Sequence, residues 1–460
     1  MERRRRRRGT ADLDRVAALT SVVLRSFAAR VSRWRALPAI LLAVASVALV
    51  AVHAPQHSML SLYDEYVYYD YLVKVPTQGF VRSGEETGLE ARHEIVCRGV
   101  INITDPKRDC ESFDLTNDDR MPYRGHTGAD IYTPAYFAVT WAVAQPFTWL
   151  GVGLLDAGRL VGMLWLGAGV LVLYALLRRL GVSRLLATGL GLGVVATPSA
   201  FWATTYLSTD APALLFSAGA FLLAVAIWRG RRSPWWFVPF AVLAVAFKVQ
   251  FIIPVAAAGL AIVVMRILRW RRERDTGLVR ALVTDRSVLA VLATAVAGVA
   301  TQVVWLAVRS ATALPADVGN YLDPAKLNPV TLVENVFVFL SAVGLDQTNI
   351  GALGTLFGYL LTMATSTFLV VMITRLIKGT DEETSLAWGL GVFGLIMGPV
   401  LLLLIWLSSK TVIELPLRYG IVLLPGFVAG VGLLFSRLRW VAPAVTILGG
   451  AAALAAILTT

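Results

Sequence analysis

Apolar stretches of 17 to 25 residues recur along the whole chain, each long enough to cross ~30 Å of hydrocarbon. With 57% hydrophobic and only 16% charged residues, the chain lies far from an ordinary soluble domain, which carries about 25% charge. The pattern predicts an all-α polytopic membrane protein. The net charge of +12 would suit nucleic acid, but its placement does not. Lys and Arg fall in short clusters between apolar segments, as the positive-inside rule expects, so the expected partners are membrane lipids and not nucleic acid. "RRRRRR" at residues 3 to 8 belongs to a basic cytoplasmic tail (1–35) beside anionic lipid. "LPAILLAVASVALVAV" follows too long a charged lead for a cleaved signal and reads as a retained first span.

Candidate spans are roughly 36–53, 159–177, 185–205, 211–228, 234–247, 249–268, 287–308, 354–374, 386–407, 419–435 and 440–458, eleven in all. With the N-terminus cytoplasmic, "RRLGVSR", "RGRR", "RILRWRRERDTGLVR", "RLIKG" and "SRLR" all fall inside, and most of the 30 acidic residues fall outside. A span at 131–150 would flip every later basic loop outward. "YTPAYFAVTWAVAQPFTWLG", with Pro134 and Pro146, is therefore read as juxtamembrane helix at the outer interface. The outer side then carries a first loop (54–158) of about a hundred residues, a length that usually means function. Both cysteines, Cys97 and Cys110, lie in it, thirteen residues apart in an oxidising compartment, which predicts a disulfide; free thiols are the alternative. Two Cys alone are too few ligands for a closed zinc site.

The first loop begins with "SLYDEYVYYDYL" (61–72), three carboxylates and five tyrosines in twelve residues. Ser61 and Asp64 fit an S-x-x-[DE] capping box, and interfacial tyrosines are common anchors, so a structural reading of the stretch stands beside a functional one. If the stretch is helical, Asp64 and Tyr68 share a face, as do Glu65 and Tyr69. Other ionisable residues reach the same outer rim: Arg159 in "DAGRLVG", Asp210 in "STDAPALLF", Lys248 in "AVLAVAFKVQFIIPV", Glu414 and Arg418 in "ELPLRYGIVLLP". Each costs about 2.5–3.5 kcal/mol at membrane depth, so a set of five points to function. Carboxylates and cations at the bilayer–water boundary suit a substrate with a polar head and a lipid tail.

These segments, in this order, resemble the GT-C glycosyltransferases, the clan of protein O-mannosyltransferases and aminoarabinose transferases. "DEYVYYDYL" is similar to the clan's Asp-Glu motif, and "YTPAYFAVTWA" to its juxtamembrane Pro-Tyr segment. "DAGRLVGMLWL" resembles its Arg-Leu span start, "LSTDAPALLF" its Thr-Asp turn, "AFKVQF" its intramembrane Lys and "LRYGIVLLP" its late Arg-Tyr segment. The likeness covers roughly 35 to 435. It departs in the cysteine-bearing insert, about 82–125, and in "YTP" where the clan carries His-Pro-Pro or Lys-Pro. The resemblance implies a GT-C-like bundle of about eleven transmembrane helices: a catalytic unit over 36–435 and a final helix over 436–460. It also implies an enzyme that moves a sugar from a polyprenyl-phosphate carrier to a hydroxyl of a glycan, lipid or protein outside the cell membrane.

A sugar hydroxyl is a poor nucleophile, so a carboxylate must take its proton, while a departing phosphate needs positive charge. Asp64 is the expected base, with Glu65 orienting the acceptor or holding a divalent cation beside it. No cofactor is otherwise expected. Lys248 and Arg418 are the expected phosphate ligands, with Arg159 a third; Asp210 and Glu414 pair with them or touch the sugar. Tyr68, Tyr69, Tyr132 and Tyr136 either contact the sugar or anchor the interface. "NDDR" at 117–120 lacks a βαβ context, "NIT" at 102–104 is a short glycosylation pattern, and no Gly-rich phosphate loop follows a strand. His53, His57, His93 and His126 show no ligand spacing. A transporter or lipid-linked-sugar flippase is the alternative, although no inverted repeat is visible. A catalytically dead relative acting as an assembly partner is the third reading. The Ala-, Arg- and Val-rich composition points to a high-GC bacterium and so to cell-envelope glycan.

Overall fold

The computed structural model describes residues 36–62, 64–107, 110–118, 121–273, 277–315, 326–341, 351–413, 415–438 and 440–459. Among these the chain is helical throughout, with three isolated β-bridges and no strand. Every apolar segment singled out in the sequence contains helix. Among the described residues six helices are long and apolar enough to cross a membrane alone: Ala36–Gln56 (α1), Leu154–Arg179, Val249–Glu273, Arg286–Ala311, Asp381–Leu407 and Val441–Leu458. A seventh forms if Arg184–Val195 and Pro198–Thr205, which meet at 61°, act as one span. The bend has a local cause. Pro198 keeps Thr197 out of the helical region, and the Thr197 hydroxyl caps the second helix by accepting from the Ala200 amide.

Ala213–Trp228, Pro234–Phe247 and Leu424–Phe435 are shorter apolar helices. Each adjoins irregular backbone that carries an ionisable residue: the turn before Ala213 holds Asp210, the extended residue after Phe247 is Lys248, and a 3-10 turn, Leu417–Val422, holds Arg418. The shortening and the polar residues therefore go together. Irregular backbone at membrane depth is tolerated only where protein or a wet cavity surrounds it.

The two ends of the bundle differ. At one end the acidic first turn of the helix Asp381–Ser409 meets three basic connections. Arg229 pairs with Glu382, Arg272 with Asp381 and Arg437 with Glu383. The basic loops that the charge pattern places together thus converge. At the other end lies the first loop. It holds α2 (Glu65–Gln78), α3 (Leu89–Arg98) and α4 (Ala135–Trp149). With 15 residues, α4 is shorter than the helices long enough to cross a membrane alone; its Phe137 stacks on Tyr71 of α2 at 3.9 Å, while Trp149 and Leu150 at its far end are exposed. The end of Arg286–Ala311 braces the same loop: Trp305 donates to the Ile131 carbonyl and Arg309 pairs with Asp130. Cys97 and Cys110 form the expected disulfide, 2.10 Å between sulfurs, tying α3 to the rest of the insert.

Close helix contacts rest on small residues. A Cβ on Gly162 would meet the Thr204 carbonyl oxygen at 1.7 Å, so the Leu154–Arg179 helix (α5) touches the backbone of Pro198–Thr205 directly. This approach places Arg159 next to the chain at Leu207, which matters below.

Candidate active site

Asp64 and Glu65 are neighbours in sequence, and the fold sends them to different partners. Helix α2 starts at Glu65, whose side chain is fully buried. Its Oε1 accepts from Arg159 Nε (2.8 Å) and the Leu207 amide (2.8 Å); its Oε2 accepts from Arg159 Nη2 (2.9 Å) and the Ser61 amide (2.8 Å). Arg159, equally buried, completes its donors on the carbonyls of His57 and Met59 and on Asp156. All five guanidinium N–H groups and all four carboxylate lone-pair sites are therefore occupied. In this structure neither Glu65 nor Arg159 has a donor or acceptor left over for acceptor, phosphate or cation. A divalent cation shared by Asp64 and Glu65 does not fit this geometry.

Asp64 itself sits at the N-cap of α2 with φ 62° and ψ 13°, a left-handed conformation costly for most residues and tolerated best by Asn and Asp. Its side chain makes no capping hydrogen bond, and because α2 begins at Glu65, the N-cap position falls on Asp64 and not on Ser61. The Asp64 carboxylate lies in the fields of Arg418, Lys248 and Asp210. Burial raises its pKa above the ordinary carboxylate value, against the pull of Arg418 and Lys248.

Opposite Asp64 the three irregular segments converge. Asp210 Oδ1 accepts from Lys248 Nζ at 2.6 Å and its Oδ2 from Arg418 Nε at 3.3 Å, and all three residues are buried. Asp210 is fixed by a tight turn in which its own amide donates to Ser208 Oγ. Lys248 has extended backbone (φ −160°, ψ 131°) between two helices. The Thr133 hydroxyl donates to the Ala246 carbonyl just before it, which ties the "YTP" segment to the break. Among the described residues Asp210 is the one hydrogen-bond acceptor of the Lys248 ammonium, which carries three N–H.

Aromatic side chains wall this space. The rings of Tyr132 and Tyr419 lie 5.7 and 5.8 Å from Lys248 Nζ, and Tyr419 also lies 5.6 Å from the Arg418 guanidinium. The Tyr68 and Tyr132 hydroxyls are 3.1 Å apart. Of the tyrosines expected at the site, Tyr68 and Tyr132 are brought to it. Tyr136 is buried between Phe137 and Trp165, and Tyr69 faces the insert, where it lines a pocket with Leu89, Glu90, His93 and Glu94. Glu414 lies outside the described residues. Tyr419 and Tyr123 are not singled out by the sequence; Tyr419 directly follows Arg418, whereas Tyr123 lies in the insert with no motif around it.

Among the described residues one set could hold a metal ion, and it lies elsewhere: ligand atoms of His93, Cys97, Cys110 and Glu111 fall within 4.8 Å of one another. The disulfide uses both sulfurs, so the set offers no thiolate.

No family model matches the chain, and no curated protein matches it. A solved structure, that of ArnT from Cupriavidus metallidurans bound to undecaprenyl phosphate, is similar in fold, with 16% identity and a TM-score of 0.46. The match covers 91% of this chain and 63% of that one, so the chain spans less than two thirds of its length. The chemistry has to come from its own side chains.

Proposed function

We propose that the protein is an inverting glycosyltransferase that moves a sugar from a polyprenyl-phosphate carrier to a hydroxyl on the outer face of the cell membrane. The observation that supports it most is one half-buried carboxylate, Asp64, in the field of a lysine and an arginine gathered on Asp210. In this reading the acceptor oxygen attacks the anomeric carbon while its proton passes to the Asp64 carboxylate. The bond from that carbon to the phosphate oxygen breaks through an oxocarbenium-like state, and the released phosphate keeps the electron pair. Lys248 and Arg418 stabilise that charge, and Asp210 holds both cations in place before the donor arrives. Glu65 and Arg159 act as positioning residues that fix the start of α2.

The resemblance of the motifs supports a catalytic unit over 36–435, with the tail 1–35 in the cytoplasm and the first loop outside. Cell-envelope glycan of a high-GC bacterium is the acceptor class that composition favours. A transporter would need polar groups along a path through the bundle, whereas this cluster sits at one end of it. The test is an assay of purified protein against a panel of polyprenyl-phosphate sugars. Transfer or hydrolysis of at least one donor, slowed about a hundredfold or more by Asp64→Asn, is expected; inertness toward every donor would overturn the reading.

A further inference from the structure

The insert of about 82–125 sets this chain apart from the pattern its motifs resemble, and it reaches the base. Tyr123, at its end, directs its phenolic hydroxyl to the Asp64 carboxylate and receives a hydrogen bond from Tyr66. The rings of Tyr66 and Tyr123 lie 6.1 Å apart at 30°. Tyr123 is 39% exposed and Asp64 half-buried, so the pair sits near the protein surface.

The backbone that presents this ring is unusual. Tyr123 (φ 52°) and Arg124 (φ 49°) are consecutive non-glycine residues in the left-handed region, a conformation that persists only where surroundings impose it. The surroundings are visible. Gly125 follows at φ +76°, where a Cβ would meet Asp118 Oδ1 at 2.2 Å and Arg92 Nη2 at 2.8 Å. Its carbonyl accepts from Arg92 Nη2 and from the Thr87 amide. Arg92 is buried and also donates to the Thr87 and Leu115 carbonyls and pairs with Asp118 at 2.7 Å. One arginine of α3 therefore clamps the loop that puts Tyr123 on the base, and the disulfide anchors the same helix.

A base awaiting its acceptor must accept a hydrogen bond from the acceptor's hydroxyl. Tyr123 offers Asp64 a bond of the same chemical type. We infer that Tyr123 occupies the acceptor's place: its hydroxyl stands in for the acceptor hydroxyl on Asp64, shields a loaded donor from water, and is displaced when the acceptor binds. The inference rests on the proposed glycosyl transfer and adds the gate on its acceptor side.

Two readouts test it in Tyr123→Phe and, with a wider opening, Tyr123→Ala. The first is hydrolysis, without any acceptor, of a polyprenyl-phosphate sugar that the wild-type protein turns over. The second needs no turnover: the rate at which a hydrophobic carbodiimide labels Asp64, read by peptide mass spectrometry. Both should rise about tenfold in Tyr123→Phe, the scale of a lost hydrogen bond to a charged group, and further in Tyr123→Ala. If the wild type turns over a donor and neither rate changes in either variant, Tyr123 does not cover the base and the inference fails. If no donor is turned over, the glycosyltransferase reading fails, and the labelling rates alone decide whether Tyr123 shields Asp64.

Discussion

Two buried ionic groups lie in this protein within one short stretch of each other, and they are built differently. In the Glu65–Arg159 pair every donor and acceptor has a partner inside the fold. In the Asp210–Lys248–Arg418 group the Lys248 ammonium has a single acceptor among the described residues, and a second carboxylate, Asp64, lies in the field of the cations. A saturated pair can hold backbone in place and do nothing else. An incompletely satisfied one, walled by Tyr68, Tyr132 and Tyr419, has capacity for a ligand. On the proposed reading the first is scaffold and the second carries the chemistry.

The sharpest break of that comparison is between adjacent residues. Asp64→Asn keeps the left-handed turn, which Asn tolerates, and removes only the charge. Turnover should fall by about 10² to 10⁴, the share of acid–base catalysis. Arg159→Met should act on folding instead, with a loss of about 3–5 kcal/mol because Glu65 is left buried without its cation. Adding Glu65→Gln to that variant should recover much of the loss, as replacing both partners of a buried pair often does. Equal stability losses for Asp64→Asn and Arg159→Met in thermal unfolding would erase the distinction.

Next in size is the insert. Replacing Cys97 and Cys110 by Ser should destabilise the loop by about 3 kcal/mol in the chain-entropy picture, seen as faster amide exchange of α3 with the bundle unchanged. The smallest effect concerns pH. Burial raises the Asp64 pKa, so the unfolded chain releases that proton first as pH rises, and Asp64 lowers stability above the ordinary carboxylate range. Asp64→Asn should therefore unfold at an equal or higher temperature than wild type at neutral pH. The acid limb of the wild-type pH–rate profile should lie above the ordinary carboxylate value, since the base must be ionised to work. A limb at or below that value would contradict the burial seen here.

Much of this was legible in the residues. Long apolar runs announced the helices, because no soluble domain needs them. Asp210, Lys248 and Arg418 stood out because ionisable groups at membrane depth are expensive, and the fold does bring them together. Which neighbour of "DE" faces the site was not legible. That choice depends on a single left-handed residue at a helix start, and no periodicity encodes it. For the same reason Arg159 looked like a phosphate ligand: its cost at depth is visible in sequence, its partner is not. Tyr123 was invisible because a loop residue held by a distant arginine leaves no pattern.

The account rests on the Lys248–Arg418 group accepting a lipid phosphate, and that can be measured without knowing the sugar. Thermal unfolding of purified protein with increasing polyprenyl phosphate, against the same polyprenol without phosphate, tests it directly. The wild type and Asp64→Asn should be stabilised by the phosphate lipid alone, and Lys248→Met should lose most of that gain. No stabilisation of the wild type, or an equal gain in Lys248→Met, would contradict the account.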